Sequence, residues 1–198
     1  MQALAGRILA HVTALPEGSA VSAKELLHFG SRAAVDQALS RLTRNKQLIR
    51  TSHGLYVAPI KTRFGERAPS TQSFISAFIK LSGETVVPSG AAAANSLGLT
   101  TQVPIKAIYL TSGKNRVVRL GAQTVELRHA PSWQLLMPTS QAGMAIRALA
   151  WMGKGHTHEA IQLLRQKLPK KELERIVSSR SRLPTWLAQE VSGFALSA

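Results

Sequence analysis

The first 58 residues of the chain carry three apolar stripes at helical spacing and then two short extended runs, an order that few folds accommodate. Leu4, Ile8 and Val12 recur every four residues and Leu15 closes the stripe, so a helix over residues 2–14 has one apolar face. Pro16, Glu17 and Gly18 end it. Ser22 and Glu25 form a Ser-x-x-Glu capping box, which predicts a short second helix with Leu26, Leu27 and Phe29 as its apolar residues. Gly30 supplies a tight turn. Ser31 caps a third helix running to about Asn45, with Val35, Ala38, Leu39 and Leu42 at i, i+3, i+4 and i+7. Residues 47–50 and 55–58 read as strands, joined by Thr51, Ser52, His53 and Gly54, where glycine suits a positive φ. Three helices followed by a hairpin is the order of a winged helix-turn-helix.

Charge gives that order a direction. Among 198 residues, Lys and Arg number 25 and Asp and Glu 10, for a net charge of +15. Such an excess points to a polyanionic partner, because each phosphate contact releases a condensed counterion. The charge is spread along the chain: +6 over residues 1–68, +5 over 69–150 and +4 over 151–198. Without a basic tail, a nucleic-acid surface has to be built by folding. The third helix turns Arg32, Ala33, Asp36, Gln37, Ser40, Arg41 and Arg44 away from its apolar stripe. That mixture suits a major groove, with Arg reading guanine and Gln reading adenine, and it equally suits a solvated face. The hairpin tip offers Arg50, Thr51, Ser52 and His53 to phosphate or to the minor groove; His53 reads equally as a plain turn residue. Lys61, Arg63 and Arg67 follow beside Phe64, Gly65 and Pro69, in a linker over residues 61–69 that either tracks a DNA backbone or is a solvated connector.

The organisation expected is thus a winged helix over 1–60, a linker over 61–69 and a second unit over 70–198. The second unit mixes α and β structure. Phe74, Ile75, Phe78 and Ile79 have helical spacing, Thr85 to Val87 reads as a strand, and Gly90 to Leu97 as a small-residue helix. A β-meander is expected over 105–130, with strands at 107–110, 117–120 and 124–128. Helices are expected over 139–195, lined by Met144, Ala148 and Leu149, then Ile161 and Leu164, then Leu173 and Ile176, then Leu187 and Val191. Trp133, Trp151 and Trp186 read as core anchors. The fold class is α+β, with a small antiparallel sheet and a helical end in the second unit.

Enzyme chemistry finds little to work with. Cysteine is absent, which excludes disulfides, zinc–thiolate sites and Cys nucleophiles. Asp36 is the only aspartate, which counts against two-metal chemistry and a Ser-His-Asp triad. His156 and His158 lie beside Glu159, but i, i+2 spacing suits one face of a strand rather than of a helix, and no carboxylate cluster accompanies them. Gly113-Lys114 and Gly153-Lys154-Gly155 lack the full phosphate-loop spacing. No Gly-x-Ser-x-Gly occurs. The expectation is a protein without catalytic activity, metal or cofactor. The longest uncharged stretch, Thr85 to Ile105, is interrupted by Pro88, Gly90, Asn95, Gly98, Gln102 and Pro104 and does not read as a membrane span. The N-terminus does not read as a signal peptide, so the expected location is the cytoplasm.

Two stretches together resemble the AbiEi family, the antitoxins of bacterial type IV toxin–antitoxin systems. One is Arg32-Ala33-Ala34-Val35-Asp36-Gln37-Ala38-Leu39-Ser40-Arg41-Leu42 with His53-Gly54-Leu55-Tyr56-Val57 after it. The other runs Pro88-Ser89-Gly90-Ala91-Ala92-Ala93-Ala94-Asn95-Ser96-Leu97-Gly98-Leu99 and on to Pro104. Leu183-Pro184-Thr185-Trp186-Leu187 fits the same pattern. The resemblance implies an N-terminal winged helix that binds inverted repeats in a promoter and represses the operon, and a C-terminal unit with the antitoxin activity. It also implies a nucleotidyltransferase-like toxin as functional partner, with no stable complex required. The alternative is an RNA- or nucleic-acid-binding module that shields the toxin's substrate without acting as a repressor.

Overall fold

The leucine and isoleucine stripe at the N-terminus winds into α1 (Leu4–Thr13), which buries Ile8 and Val12. The computed structural model describes residues 3–192, so Gln2, at the start of the expected first helix, lies outside them. The chain is a mixed α+β protein that divides into two units: Met1–Glu84 with Arg116–Glu126, and Thr85–Asn115 with Leu127–Ala198. The division falls after Glu84 rather than within 61–69, and a later segment is counted with the first unit.

In the first unit, β1 (Val21–Ser22) follows α1, and a single 3₁₀ turn, Leu27–Phe29, leads to α2 (Arg32–Arg44). Ser31 Oγ caps α2 by accepting from the Ala34 amide. Then come β2 (Ile49–Ser52) and β3 (Leu55–Val57), in an antiparallel sheet of order β1-β3-β2 with Val21 opposite Tyr56 and Ile49 opposite Val57. Ile8, Leu26, Val35, Leu39, Leu42 and Leu48 meet in the core between these elements. Each such side chain contributes about 1.5–3 kcal/mol when fully buried, so this cluster holds α1 against α2. β4 (Ile60–Thr62) and β5 (Gly65–Arg67) form a separate antiparallel pair, and α3 (Thr71–Ser82) follows, capped by Ser70 and ended by Gly83 at φ 69°.

Three expectations are corrected here. The second helix does not form. Its capping box does: the Ser22 amide donates to Glu25 Oε2 at 2.7 Å, and the Glu25 amide donates to Ser22 Oγ at 3.4 Å. But Ser22 is also paired with Leu55, and the short run before Gly30 closes only turns, since nucleating a helix costs several fixed dihedrals for one hydrogen bond. The first strand of the hairpin starts at Ile49, not Gln47, because the Gln47 and Leu48 amides still donate to the Leu42 carbonyl after a left-handed Lys46. Residues 61–69 are not a linker. Lys61 pairs with Glu66 across a hairpin whose turn Thr62 fastens, its Oγ1 donating to the Gly65 carbonyl at 2.7 Å and accepting from the Phe64 amide at 3.2 Å.

The second unit opens with β6 (Val86–Pro88), α4 (Gly90–Ser96) and β7 (Ala107–Thr111), with β6 antiparallel to β7. In chain order β8 (Arg116–Leu120), counted with the first unit, and β9 (Gln123–His129), whose last three residues belong to the second, follow, and the strand order is β6-β7-β9-β8. A meander would have placed β8 between its sequence neighbours; instead β9 sits beside β7. The turn after β7 is fastened to the end of β9, where the His129 amide donates to Asn115 Oδ1 at 2.6 Å and the Ala130 amide to the Thr111 carbonyl at 3.0 Å.

After a 3₁₀ turn at Ser132–Leu135, α5 (Gln141–Met152), α6 (Lys154–Lys167), α7 (Lys170–Ser178) and α8 (Thr185–Ser192) complete the described chain; positions 193–195 of the expected helical end lie outside it. α5 is central, with Ala142, Ala145, Ile146 and Leu149 packed on Ile161, Leu164, Ile176 and Leu187. Ala93, Ala94 and Ala148 let α4 lie close against it. At Gly90 the approach is closer still: a Cβ there would sit 2.5 Å from both the Arg147 carbonyl and Trp151 Cβ. Trp133 and Trp186 are partly buried against the α5 cluster, but Trp151, expected as a core anchor, is 46% exposed near the end of the helix. Among the described residues no helix is long and apolar enough to cross a membrane.

Candidate nucleic-acid interface

The rotation of α2 is set by its buried stripe of Val35, Ala38, Leu39 and Leu42. The opposite face follows from 3.6-residue periodicity: Arg32, Ala33, Gln37, Ser40, Arg41 and Arg44 are exposed and Asp36 is half-buried. Ala33, Gln37, Ser40, Arg41 and Arg44 thus run down one side of a helix about 20 Å long. Asp36, Gln37, Ser40, Arg41 and Arg44 line a single open groove of about 370 Å³. Asp36 Oδ2 accepts from Arg32 Nε at 2.8 Å. This exposed i, i+4 pair is worth only a few tenths of a kcal/mol, but it cancels the only carboxylate on the helix. The groove therefore presents two guanidinium groups, an amide and a hydroxyl.

The turn between β2 and β3 divides the residues expected there. Arg50 and His53 are exposed, Ser52 is half-buried, and Gly54 takes φ 72°. Thr51 is corrected: it is 2% exposed, and its Oγ1 donates to the Leu55 carbonyl at 3.3 Å, closing the hairpin from within. It is not available to a ligand.

The β4–β5 hairpin carries Lys61 and Arg63, both exposed. Its turn holds a residue that sequence reasoning noted but did not count as functional. Phe64 is 86% exposed, and the Arg63 guanidinium lies 4.6 Å from its ring centroid. An aromatic residue between an arginine and a turn glycine was the available signal. Arg67, further along, is engaged with Glu17 at 3.5 Å and with the Ala68 carbonyl.

Elsewhere the sequence candidates stay apart. His156 and His158 lie within α6, and among the described residues no group of three or more His, Asp or Glu is placed to hold a metal ion. Gly113-Lys114 belongs to the turn after β7, and Gly153, at φ 72°, separates α5 from α6.

No curated protein matches the chain. The crystal structure of the RV2827C protein from Mycobacterium tuberculosis is similar over 98% of this chain and 76% of its own, with a TM-score of 0.50 and 14% sequence identity. At that identity the likeness is one of fold. Residues 7–176 match the profile described as a family of unknown function, DUF6088, and the chain belongs to that family.

Proposed function

We propose that the first unit is a winged-helix DNA-binding module with α2 as the groove-reading helix. On this reading the chain is an AbiEi-like antitoxin and autorepressor, without enzymatic activity, binding inverted repeats in its own promoter in the bacterial cytoplasm. The observation that carries the reading is the α2 groove, where Gln37, Ser40, Arg41 and Arg44 converge and the one carboxylate, Asp36, is paired with Arg32. Arg41 and Gln37 lie one turn apart, the spacing at which two long side chains reach neighbouring base edges. Arg50 and His53 on one hairpin, and Lys61 and Arg63 on the other, supply backbone contacts that set register without reading sequence. The antitoxin role rests on the sequence resemblance, with a nucleotidyltransferase-like toxin as the functional partner.

The test is fluorescence anisotropy on the promoter duplex, a scrambled duplex and a structured RNA at equal salt. Preference for the promoter, lost in Arg41→Ala, supports the reading. Equal binding to both duplexes overturns base recognition. The second reading, an RNA-binding module that shields the toxin's substrate, has Phe64 in its favour, since an exposed ring beside Arg63 suits stacking on unpaired bases. Tighter binding to the RNA, lost in Phe64→Ala, selects it.

A further inference from the structure

The second unit buries a cation that pairs with no carboxylate among the described residues. Arg147 lies on α5 between Ile146 and Ala148 and is 2% exposed. Its Nη1 donates to the Gln134 and Leu136 carbonyls, both at 3.4 Å, the long end of hydrogen bonding. Its Nε is buried and has no hydrogen-bond partner among the described residues. Burial lowers its pKa to about 10, so the guanidinium remains charged at neutral pH. An uncompensated buried charge is costly, and an anionic partner would offset the cost.

Arg147 also lines an open cavity of about 260 Å³, just below the usual range for ligand sites, so only part of a mononucleotide would be enclosed. Ser89, Arg128 and Gln134 add polar groups to its wall, and Ile108 and Trp151 add apolar surface. No acidic residue among the described residues lines it. Two guanidinium groups with a hydroxyl and an amide match the several acceptor oxygens of a phosphate better than the two of a carboxylate. The half-exposed indole of Trp151 offers a flat face to whatever the phosphate carries.

We propose that this cavity binds a small phosphate monoester of mononucleotide size, its phosphate on Arg147 and Arg128 and its flat body against Trp151. The ligand is either a free nucleotide or the phosphorylated end of a strand. The inference concerns the second unit alone and is independent of the DNA reading of the first.

The test uses the full chain, with tryptophan fluorescence and thermal unfolding as readouts. The probes are adenosine 5′-monophosphate, adenosine, and a short single strand with and without a 5′-phosphate. Saturable one-to-one binding of the monophosphate, about tenfold or more tighter than adenosine, is expected. Arg147→Gln removes the charge and should weaken binding by about the same factor. That variant also disturbs the Gln134 and Leu136 carbonyls, so Ala91→Met is the second arm. Ala91 lines the cavity from α4, and methionine there fills the space while every basic residue stays in place. It should abolish binding in a protein of unchanged net charge. If the phosphorylated strand binds and the free monophosphate does not, the ligand is a strand end; the opposite pattern assigns a free nucleotide. Equal affinity for adenosine and its monophosphate overturns the proposal. So does binding that Ala91→Met leaves intact, which would place the anion on the general basic surface, and so does the absence of saturable binding by any phosphorylated probe.

Discussion

Salt dependence measures how much of the basic surface touches DNA, and its value follows from counting side chains. If Arg41 reads a base, the exposed cations left for phosphates on α2 and the two hairpins are Arg44, Arg50, Lys61 and Arg63. Arg32 is held by Asp36 at 2.8 Å and Arg67, on β5, by Glu17 at 3.5 Å, and both drop out of the count. Each phosphate contact contributes about −0.9 to the slope of log affinity against log salt, so the slope should be about −3.6 per bound copy. Affinity should then fall by about 150-fold between 50 and 200 mM salt. The perturbation is Lys61→Ala, at an exposed position of β4, which should reduce the slope to about −2.7 and the fall to about 40-fold. The assay is fluorescence anisotropy on a duplex just long enough for one copy, at five salt concentrations, for both proteins. A slope shallower than about −2 in the unmodified protein would refute the idea that both hairpins and α2 bind together. An unchanged slope in Lys61→Ala would remove the β4–β5 hairpin from the interface.

Arg41→Ala should cost about 1–3 kcal/mol on the promoter and relax preference at one base pair, read by competition against single-substitution duplexes; an equal loss on random DNA would make Arg41 a phosphate contact. Gly90→Ala should destabilise the second unit by about 1–3 kcal/mol, because its Cβ would meet the Arg147 carbonyl and Trp151 Cβ at 2.5 Å; an unchanged urea midpoint would show that α4 and α5 can separate cheaply. Glu172 accepts the Ala142 amide at 2.7 Å and pairs with Arg175 at 2.9 Å, and these hold its carboxyl below the usual carboxylate range. With the folded pKa below the unfolded one, its stabilisation is complete above the ordinary carboxylate range and is lost as pH falls through the folded pKa. Glu172→Gln should therefore cost stability at pH 7, by about 1 kcal/mol, and flatten the acid limb of the stability curve; parallel curves for the two proteins would remove Glu172 from that limb.

The parts of the fold that could be read in the sequence are those whose determinants are local. α2 is legible because Val35, Ala38, Leu39 and Leu42 fix one face and Ser31 fixes the start, and the exposed face then follows without further information. The turns after Ser22 were misread because a correct local signal, the capping box, sits on a residue whose backbone is also claimed by β3. Thr51 was misplaced by two residues' error in a strand boundary. Once β2 runs to Ser52, Thr51 lies inside the strand, at the register shift between Arg50 and Ser52, and faces inward like Ile49. The position of β9 was not legible, because strand adjacency there depends on pairs such as Asn115 with His129 that no short window contains. The Arg147 cavity was invisible for a related reason. An arginine within the apolar run from Ala145 to Leu149 reads as an interruption of the stripe, and only packing shows that it is buried with carbonyls, and among the described residues no carboxylate, as its partners.

The same distinction between local and packed charge bears on Asp36. It is the only aspartate in a chain of +15, and it sits on the helix face proposed to meet DNA. A helix that only gathered phosphates would gain nothing from a carboxylate there, since at 4 Å a like charge costs about 1 kcal/mol even in water. A helix that reads bases gains two things. A carboxylate accepts a hydrogen bond from the cytosine amino group, and it penalises docking wherever an acceptor lies opposite. Its pair with Arg32 uses Oδ2 and is exposed, with 62% and 49% of the two side chains open to solvent, so Asp36 can turn its other oxygen to a base while Arg32 stays paired. Discrimination is a difference between affinities, and Asp36 lowers the non-specific one while Arg41 and Gln37 raise the specific one. The net charge accounts for attraction to any duplex, and the placement of one acid among the cations of α2 is what a sequence-reading role adds to it.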